Sequence, residues 1–422
     1  MTVELMRCPD DDLSLGTLLR GWRERALLTQ EQLAQRADLN VRTVRRLENR
    51  GLQQPRTTSI LLLAEALGLD GEERAVLAAA ARGPSAERGD PVAVPRQLPA
   101  GAAVFVGREH ERTALEDTAT VAAIDGMAGV GKTALAVHAA HRLAPRFPDG
   151  QLFVNLHGHT RGMTPVDPGD ALARVLRAFD VPGERIPEHV DDRAALYRGV
   201  VADRRVLIVL DDAADEDQVR PLLPAGRGCR LIVTSRRRLI GLDGTRTLSL
   251  DVLPAREAVA LFTRTAGPEQ VMDAPAGVLV EIVERCGRLP LAVRIAAVRL
   301  RARPAWSVGH LLARLTDDRP AELTAGRHSV TAALDLSYQR LSEDQRRVYR
   351  LLGSIVGAEF GVDEAAAVQG TTVVRASRLL DQLLDVHLLQ EPAPGRFRFH
   401  ALVRDHVRAL PHGTWGEVAG PF

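Results

Sequence analysis

The most informative motif in this chain is Gly126-Met127-Ala128-Gly129-Val130-Gly131-Lys132-Thr133. It matches the pattern G-x-x-x-x-G-K-[ST] of a phosphate-binding loop. Of the 55 lysines and arginines, Lys132 is the single lysine and the other 54 are arginine. Glycines let backbone N–H groups curl around phosphates, and a compact ammonium fits between terminal phosphates where a planar guanidinium does not. The stretch predicts a nucleoside triphosphate site; the alternative is a glycine-rich turn that binds nothing.

The sequence on either side of this loop supports that prediction. The apolar run Val121–Ile124 is typical of a buried parallel strand, and residues 133–143 have the alanine-rich spacing of a helix. A strand, a glycine loop and a helix in this order place phosphates at a helix N-terminus. Apolar runs then alternate with helical stretches to about Leu250, which predicts an α/β fold with a parallel sheet.

Length, charge and cysteine content limit the class of protein. A chain of 422 residues with 45% apolar content is long enough for about two to four domains. Its net charge of +1 excludes a global attraction to nucleic acid, so any basic surface is local. Three widely spaced cysteines fit neither a disulfide framework nor a zinc site and favour a reducing cytosol. The N-terminus lacks the pattern of a signal peptide, and no apolar stretch approaches the roughly 20 residues that span a bilayer. We predict a cytoplasmic protein without a membrane partner.

A second apolar strand, residues 205–210, is followed by two aspartates. A carboxylate at the carboxyl end of a buried strand can hold Mg²⁺ in a phosphate-loop protein. We predict that Asp211 binds Mg²⁺ together with the hydroxyl of Thr133. Asp212 is then placed to orient or deprotonate a water that attacks the γ-phosphate. A cap between a strand and a helix would give a similar pattern.

Three further segments have the spacing of functional elements. Residues 228–235 form another strand-like run, and Arg236 at its end is placed to reach the γ-phosphate. The segment 287–292 puts the rigid Pro290 at the start of a helix. Val106 and Arg108 lie in the segment 105–109, just after a stretch with four prolines, residues 83–103, that is typical of a linker.

The sequence before that linker has the pattern of two short helices joined by a tight turn. Thr29 and Gln32 form a capping box at the start of one helix, and residues 41–49 form the second. This arrangement predicts a helix-turn-helix. Residues 13–70 resemble the lambda-repressor/Cro-like (XRE-type) family, whose members bind DNA.

The second of these helices offers a basic surface. Val44 and Leu47 are expected to face inward, which leaves arginines that pair with guanine edges and a threonine that contacts a base. Residues 15–56 contain nine arginines and four acids, a local excess that suits phosphate contact. We predict that double-stranded DNA is contacted by Gln30, Arg42, Thr43, Arg45 and Arg46. The alternative is a helical bundle that binds a protein partner.

The segments from 104 to 410 together resemble the NB-ARC class of STAND ATPases, in the version found in actinobacterial transcriptional regulators. The family order is h-h-G-R-E, phosphate loop, L-D-D, T-S-R, G-L-P-L-A and M-H-D. The resemblance implies that Val106 and Arg108 contact the adenine end, that Pro290 packs on the nucleotide and that Arg236 is the sensor. It also implies that ATP or ADP, with Mg²⁺, is held by loop residues Gly126, Ala128, Gly129, Val130, Gly131, Lys132 and Thr133.

The sequence departs from the family at two points. The M-H-D position reads Phe399-His400-Ala401, so the histidine is present and the aspartate is absent. In the family this histidine touches the β-phosphate of ADP; the alternative for His400 is a packing role. The family also often continues into helical repeats that sense a ligand, whereas this chain ends at residue 422. We therefore expect a separate sensor protein among its partners.

The predicted organisation is multidomain: an all-α helix-turn-helix domain at 13–82, a linker at 83–103, an α/β P-loop NTPase domain at 104–252, a helical domain at 253–328, a winged-helix domain at 329–410 and a tail at 411–422. We predict a DNA-binding regulator that is switched by exchange of ADP for ATP and that self-associates, with slow hydrolysis as a reset. The main alternative is a signalling ATPase whose N-terminal bundle binds a protein. A phosphotransferase would need an acceptor pocket for which the sequence shows no pattern.

Overall fold

The computed structural model describes residues 15–48, 57–82, 94–117, 120–326, 328–353, 355 and 359–410. The chain divides between Ala93 and Val94 into two compact units, an N-terminal and a C-terminal one. Parts of the predicted segments lie outside the described residues, namely 13–14, 49–56, 83–93, 118–119, 327, 354, 356–358 and the tail 411–422. Among the described residues, none forms a helix that combines the length and the apolar character needed to cross a bilayer.

The N-terminal unit is helical, as its sequence predicts. Its helices are α1 (Leu15–Arg25), α2 (Gln30–Arg36), α3 (Val41–Glu48), α4 (Thr57–Ala66) and α5 (Gly71–Arg82). The capping box is confirmed, because Thr29 and Gln32 exchange side-chain-to-backbone hydrogen bonds at the start of α2. Val44 and Leu47 of α3 are buried, as expected, in a core shared with Leu19 and Leu33. The two helices α2 and α3 therefore pack as a rigid pair.

The C-terminal unit begins with an α/β layer, which confirms the predicted parallel sheet. Its elements in chain order are α6 (Glu109–Asp117), β1 (Val121–Gly126), α7 (Lys132–Leu143), β2 (Gly150–Asn155), α8 (Pro168–Ala178), α9 (Val190–Val201), β3 (Val206–Ala213), α10 (Glu216–Val219), β4 (Arg230–Ser235) and β5 (Thr245–Leu250). The strand order is β2-β3-β4-β1-β5, and all the pairings are parallel. The carboxyl ends of β1, β3 and β4 therefore lie side by side, where a doubly wound sheet binds its ligand.

The later part of the proline-containing stretch lies along the edge of this sheet. Arg96 forms a parallel bridge with Gln151 of β2, and backbone hydrogen bonds join Gln151 to Pro95 and Gln97. An edge strand exposes unpaired backbone groups, and a short added segment satisfies them. Residues 95–97 thus cover the open edge of β2.

Helices and short strands complete the C-terminal unit. After the sheet come α11 (Ala255–Ala266), α12 (Pro268–Val271), α13 (Ala276–Arg285), α14 (Pro290–Arg301), α15 (Val308–Asp317), α16 (Arg319–Glu322), β6 (Thr324–Ala325), β7 (His328–Ser329), α17 (Val330–Gln339), α18 (Glu343–Leu352), β8 (Phe360–Gly361), α19 (Val362–Gln369), α20 (Val373–Asp385), β9 (Gln390–Ala393), β10 (Arg396–Arg398) and α21 (Ala401–Ala409). The runs 388–390 and 397–399, on either side of Pro392 and Gly395, have the sequence pattern of a hairpin. The structure forms this hairpin as β9 and β10, and β8 extends it in the order β8-β10-β9.

One hydrophobic core joins the sheet to these later helices. Buried side chains from β1, α14, α17 and α21 belong to a single cluster, with Ile124, Val293, Leu334 and Leu402 among its members. A second cluster fills the opposite face of the sheet around Tyr197. Because the first core is continuous, the later helices that contribute side chains to it are held in fixed positions relative to the sheet and its phosphate loop.

Candidate nucleotide-binding site

The phosphate loop connects β1 to α7, and its shape depends on two glycines. Gly131 caps α7 with a φ of +100°, and Gly129 has a φ of +81°, values that L side chains rarely adopt. A Cβ atom built on Gly129 would also lie 2.9 Å from Cβ of Leu291. The loop thus leaves the backbone N–H groups at the start of α7 available for an anion, with the helix dipole favouring negative charge.

Lys132 folds over the loop that precedes it. Its Nζ donates to the carbonyl oxygens of Gly126, at 2.7 Å, and Met127, at 2.9 Å. Desolvation of the ammonium, reinforced by the nearby charge of Arg236, lowers the pKa of Lys132 to about 7. A phosphate group would restore the ammonium form, since an adjacent negative charge stabilises it.

Asp211 lies between two threonine hydroxyls at the end of β3. Its Oδ1 accepts hydrogen bonds from Thr133 and from Thr234, both at 2.7 Å. Burial raises the pKa of Asp211, and the two hydrogen bonds oppose that rise. The structure thus brings together Thr133 and Asp211, the two predicted ligands of Mg²⁺, and their oxygen atoms are of the type that this cation prefers.

Asp212 follows in a strained position, and its carboxylate contacts a loop. Its φ of +57° lies in the left-handed region, and the pairing of β3 with β4 is irregular between residues 210 and 213. Oδ2 accepts from the backbone N–H of His159 at 2.8 Å, and Oδ1 lies 3.2 Å from Nδ1 of the same residue. Burial raises the pKa of Asp212, but the bonds from His159 outweigh it, so the pKa lies below its usual range. Asp212 is therefore ionised, and its carboxylate contacts His159.

Arg236 follows β4 and reaches a helix far along the chain. Its Nη1 donates to the carbonyl oxygen of Ala333, at 2.6 Å, and to the hydroxyl of Ser337, at 3.0 Å, both in α17. Burial lowers the pKa of Arg236, while the charges of Asp212 and Asp211 oppose that shift. The predicted sensor thus lies within electrostatic reach of the acidic pair and is bonded to α17.

Arg108 and Val106, predicted to lie at the adenine end, occupy the segment before α6. Arg108 is 7% exposed, and its guanidinium donates to Glu111, to the Val130 carbonyl and to the Asp251 carbonyl at the end of β5. Val106 is half-buried against the main core. Arg108 therefore ties its segment to the phosphate loop.

The start of α14 packs directly on the phosphate loop. The backbone N–H of Leu291 donates to the carbonyl oxygen of Gly129 at 3.1 Å. A Cβ atom built on Gly131 would lie 3.9 Å from Cγ of Pro290. The segment that contains the predicted Pro290 is thereby placed against the loop.

His400 caps α21 and contacts the turn before α14. Its Nδ1 accepts from the Leu402 N–H, so Nε2 carries the proton and donates to the Gly287 carbonyl at 2.9 Å. Burial lowers the pKa of His400, which keeps the ring neutral. The structure thus brings His400 to the element that packs on the phosphate loop.

Sequence reasoning missed a contact beneath this site. Asp125, which is fully buried at the end of β1, has Oδ1 2.8 Å from Nε2 of His387, which follows α20. Beside them is a cavity of about 290 Å³ whose lining includes Met127 and His400. No motif marks His387, because its partner lies 262 positions away in the sequence. The one signal in the sequence was Asp125 itself, an acid inside an apolar strand, since a buried carboxylate needs a partner.

In the N-terminal unit the predicted DNA-contacting residues differ in their surroundings. Arg42 and Arg46 are exposed on α3, and Thr43 beside them is half-buried. Arg45 lies 2.6 Å from Glu31 of α2. Gln30 donates to the buried carboxylate of Glu48 at 2.7 Å. Two of the five residues, Gln30 and Arg45, are thus bonded to acidic side chains of the N-terminal unit.

Comparison with protein families assigns both parts of the chain. Residues 14–77 match the model of a helix-turn-helix domain, and residues 109–272 match that of the NB-ARC domain. Among solved structures, a Walker-type ATPase of Pyrococcus abyssi aligns over 75% of this chain and 99% of its own, with 14% identity and a TM-score of 0.51. At that identity the likeness concerns the fold alone.

Curated relatives extend the comparison. The regulatory protein AfsR of Streptomyces coelicolor is 43% identical over 342 residues, which are 78% of this chain and 34% of that protein. AfsR of Streptomyces griseus is 43% identical over 325 residues, 75% of this chain and 33% of its own length. The chain spans about a third of the length of these relatives. The chain therefore contains a helix-turn-helix domain followed by an NB-ARC domain of the STAND P-loop ATPases, and it is similar to AfsR-like regulators.

Proposed function

We propose that this protein is a DNA-binding transcriptional regulator whose NB-ARC domain binds ATP or ADP with Mg²⁺ and thereby controls its conformation. One observation carries the proposal: Arg236, at the phosphate end of the sheet, is hydrogen-bonded to α17. A single side chain thus links the site expected to hold the γ-phosphate to the C-terminal helices. The AfsR relatives, which are named as regulatory proteins, support the regulatory role.

The residues around the loop fit a magnesium nucleotide. The N–H groups at the start of α7 and the ammonium of Lys132 suit phosphates, and Thr133 with Asp211 suits Mg²⁺. Arg108 and Val106 would flank the adenine end, and Pro290 would cover the nucleotide. When ATP is bound, its γ-phosphate is the group that distinguishes it from ADP. Slow hydrolysis of ATP, assisted by Asp212, would return the protein to the ADP state.

The switch would act through differential contacts. A γ-phosphate competes with Ala333 and Ser337 for Arg236, whereas ADP leaves that contact in place. His400 would contact the β-phosphate in the ADP state, although the following Ala401 replaces the aspartate of the family motif. A ligand shifts a conformational equilibrium only by its difference in affinity for the two states. ATP would therefore release α17.

The segments that follow the sheet would take part in that switch. Residues 253–328 would act as a helical domain and 329–410 as a winged-helix domain, the two parts of a clamp on the nucleotide. Release of the clamp would promote self-association, which suits paired half-sites on DNA. The DNA-binding role would place the protein in the cytoplasm.

Arg42 and Arg46 of α3 are the best candidates for contacts with DNA, since both are exposed and basic. Thr43 would add a contact to a base. To contact DNA, Arg45 would have to exchange its ion pair with Glu31 for a phosphate or a base. Gln30 would likewise have to give up its hydrogen bond to Glu48.

The test is a pull-down of genomic DNA with purified protein, in ADP and again in a non-hydrolysable ATP analogue. Enrichment of a discrete site in one state only is the expected result. Arg42→Ala with Arg46→Ala should weaken binding and reduce its salt dependence, because each lost phosphate contact removes released counterions. Arg36→Ala, at the exposed end of α2, is the matched control. No enrichment in either state, with nucleotide binding intact, would favour a bundle that binds a protein partner.

A further inference from the structure

The loop that follows β2 is pressed against the end of β3. The backbone N–H of Gly158 donates to the carbonyl oxygen of Asp212 at 2.7 Å. A Cβ atom built on Gly158 would lie 2.5 Å from that same oxygen, so only glycine allows this approach. The backbone hydrogen bond and the close approach at Gly158 therefore hold this loop against the end of β3.

Both oxygens of the Asp212 carboxylate are occupied by this loop. Oδ2 accepts from the backbone N–H of His159 at 2.8 Å and from the hydroxyl of Thr160 at 3.4 Å. Oδ1 lies 3.2 Å from Nδ1 of His159, whose side chain is only 8% exposed. Because an ionised carboxylate has no proton to give, Nδ1 must donate.

The surroundings of the pair define which group donates. Burial is the main reason that the pKa of His159 lies below its usual value, so its ring is neutral near pH 7. Before the Asp212 carboxylate could reach a water molecule and accept its proton, it would have to give up hydrogen bonds to this loop, which costs free energy.

We propose that His159 is a positioning residue that restrains Asp212 and acts as a brake on ATP hydrolysis. The inference rests on the proposed function. In hydrolysis, a water oxygen bonds to the terminal phosphorus of ATP as the bond to ADP breaks, and the water proton passes to an acceptor. While His159 and Thr160 occupy the oxygens of Asp212, that carboxylate accepts the proton poorly, and ATP persists in its site.

Four variants of the full chain test this role. His159→Asn places an amide nitrogen close to the position of Nδ1 and keeps the donor to Asp212. His159→Gln places its amide nitrogen nearer the position of Nε2, and His159→Ala has no donor. Asp212→Asn removes the acceptor and identifies hydrolysis that depends on it.

The first readout is single-turnover hydrolysis of Mg-ATP, with the affinity for a non-hydrolysable analogue measured in parallel. We expect His159→Ala and His159→Gln to hydrolyse about three- to tenfold faster, since a hydrogen bond to a charged group is lost. Affinity should stay within about twofold of the wild type, and His159→Asn should retain the slow rate. A slow rate in His159→Asn beside a fast rate in His159→Gln is a difference that a merely structural role would not produce.

A rate in His159→Ala that equals or falls below the wild-type rate, including no detectable hydrolysis in either, overturns the brake. The brake is also overturned if His159→Asn hydrolyses ATP as fast as His159→Ala. A wild-type protein that binds no nucleotide would instead overturn the proposed function.

The second readout needs no nucleotide. The NMR titration of the His159 ring should show a lower pKa in Asp212→Asn, because the carboxylate that favours the protonated ring is gone. An unchanged titration would show that the contact does not restrain Asp212.

Discussion

Arg236 donates a 3.0 Å hydrogen bond to the hydroxyl of Ser337, a residue 101 positions later in the chain. Ser337 is 6% exposed, so its hydroxyl has little access to water that could replace this bond. The second acceptor on α17 is the carbonyl of Ala333, which no side-chain substitution removes. The serine is therefore the part of this contact that a point mutation can alter.

Ser337→Ala should raise the preference of the protein for ATP over ADP. Losing one hydrogen bond costs the α17-bound form about 1 kcal/mol, or about fivefold in the ratio of the two affinities. Calorimetric titration with a non-hydrolysable ATP analogue and with ADP measures that ratio. Thr316→Ala is the control, because the exposed hydroxyl of Thr316 bonds only within α15. If the two variants give the same ratio, Arg236 does not couple the nucleotide to α17.

Nucleotide affinity should fall as the pH rises above about 7, the pKa of Lys132 in the free protein. Phosphate binding requires the ammonium form, so the limiting slope is about tenfold per pH unit. Titrations near pH 8 in two buffers of different ionisation enthalpy should report proton uptake on binding. Lys132→Met should bind weakly and take up no proton through this side chain. Affinity that is flat across this range would contradict the prediction.

The stability of the C-terminal unit should decrease on acidification in a way that depends on His400. Burial places its folded-state pKa below the unfolded value of about 6.5. The unfolded state then binds more protons, so stability is complete above about pH 6.5 and falls as the pH drops towards the folded-state pKa. His400→Gln should be less stable at neutral pH, and its deficit should shrink in acid. Denaturant titrations at two pH values measure this.

The control for that titration is His110→Gln. His110 is exposed on α6, so its replacement should change the free energy of unfolding little at either pH value. A deficit of His400→Gln that is constant with pH would mean that the ring contributes through packing alone.

In the N-terminal unit, Glu48→Ala should be strongly destabilising. The Glu48 side chain is fully buried and lies 2.7 Å from Nε of Arg23, which is 12% exposed. Removing one partner leaves the other charge buried, which costs about 3 kcal/mol or more. Glu31→Ala, which breaks an exposed pair with Arg45, should change stability little. Thermal melts of the helical signal compare the two, and equal losses would contradict the argument.

Local patterns predicted the elements, and two motifs predicted that Thr133 and Asp211 meet. Contacts between distant side chains that belong to no common motif could not be predicted. The phosphate loop, the capping box at Thr29 and the hairpin after α20 were predictable because their residues are neighbours in sequence. The contacts of Asp212 with His159 and of Asp125 with His387 depend on strands and helices that meet only in the folded chain. Periodicity carries no information on such pairs.

The proline-containing stretch shows a different limit. Four prolines predicted a linker over residues 83–103, yet residues 95–97 pair with β2. The unpaired edge of β2, a property of the whole sheet, gives these residues hydrogen-bond partners that their own composition does not indicate.

The hydrogen bond from Leu291 to Gly129 also sets an order of events during synthesis. The ribosome releases β1 to β5 before it has made residue 291, so the sheet can form while the phosphate loop still lacks its contact with α14. Only after α14 has emerged and docked is the loop held from both sides. A nascent chain therefore acquires its scaffold first and its fully supported phosphate loop later.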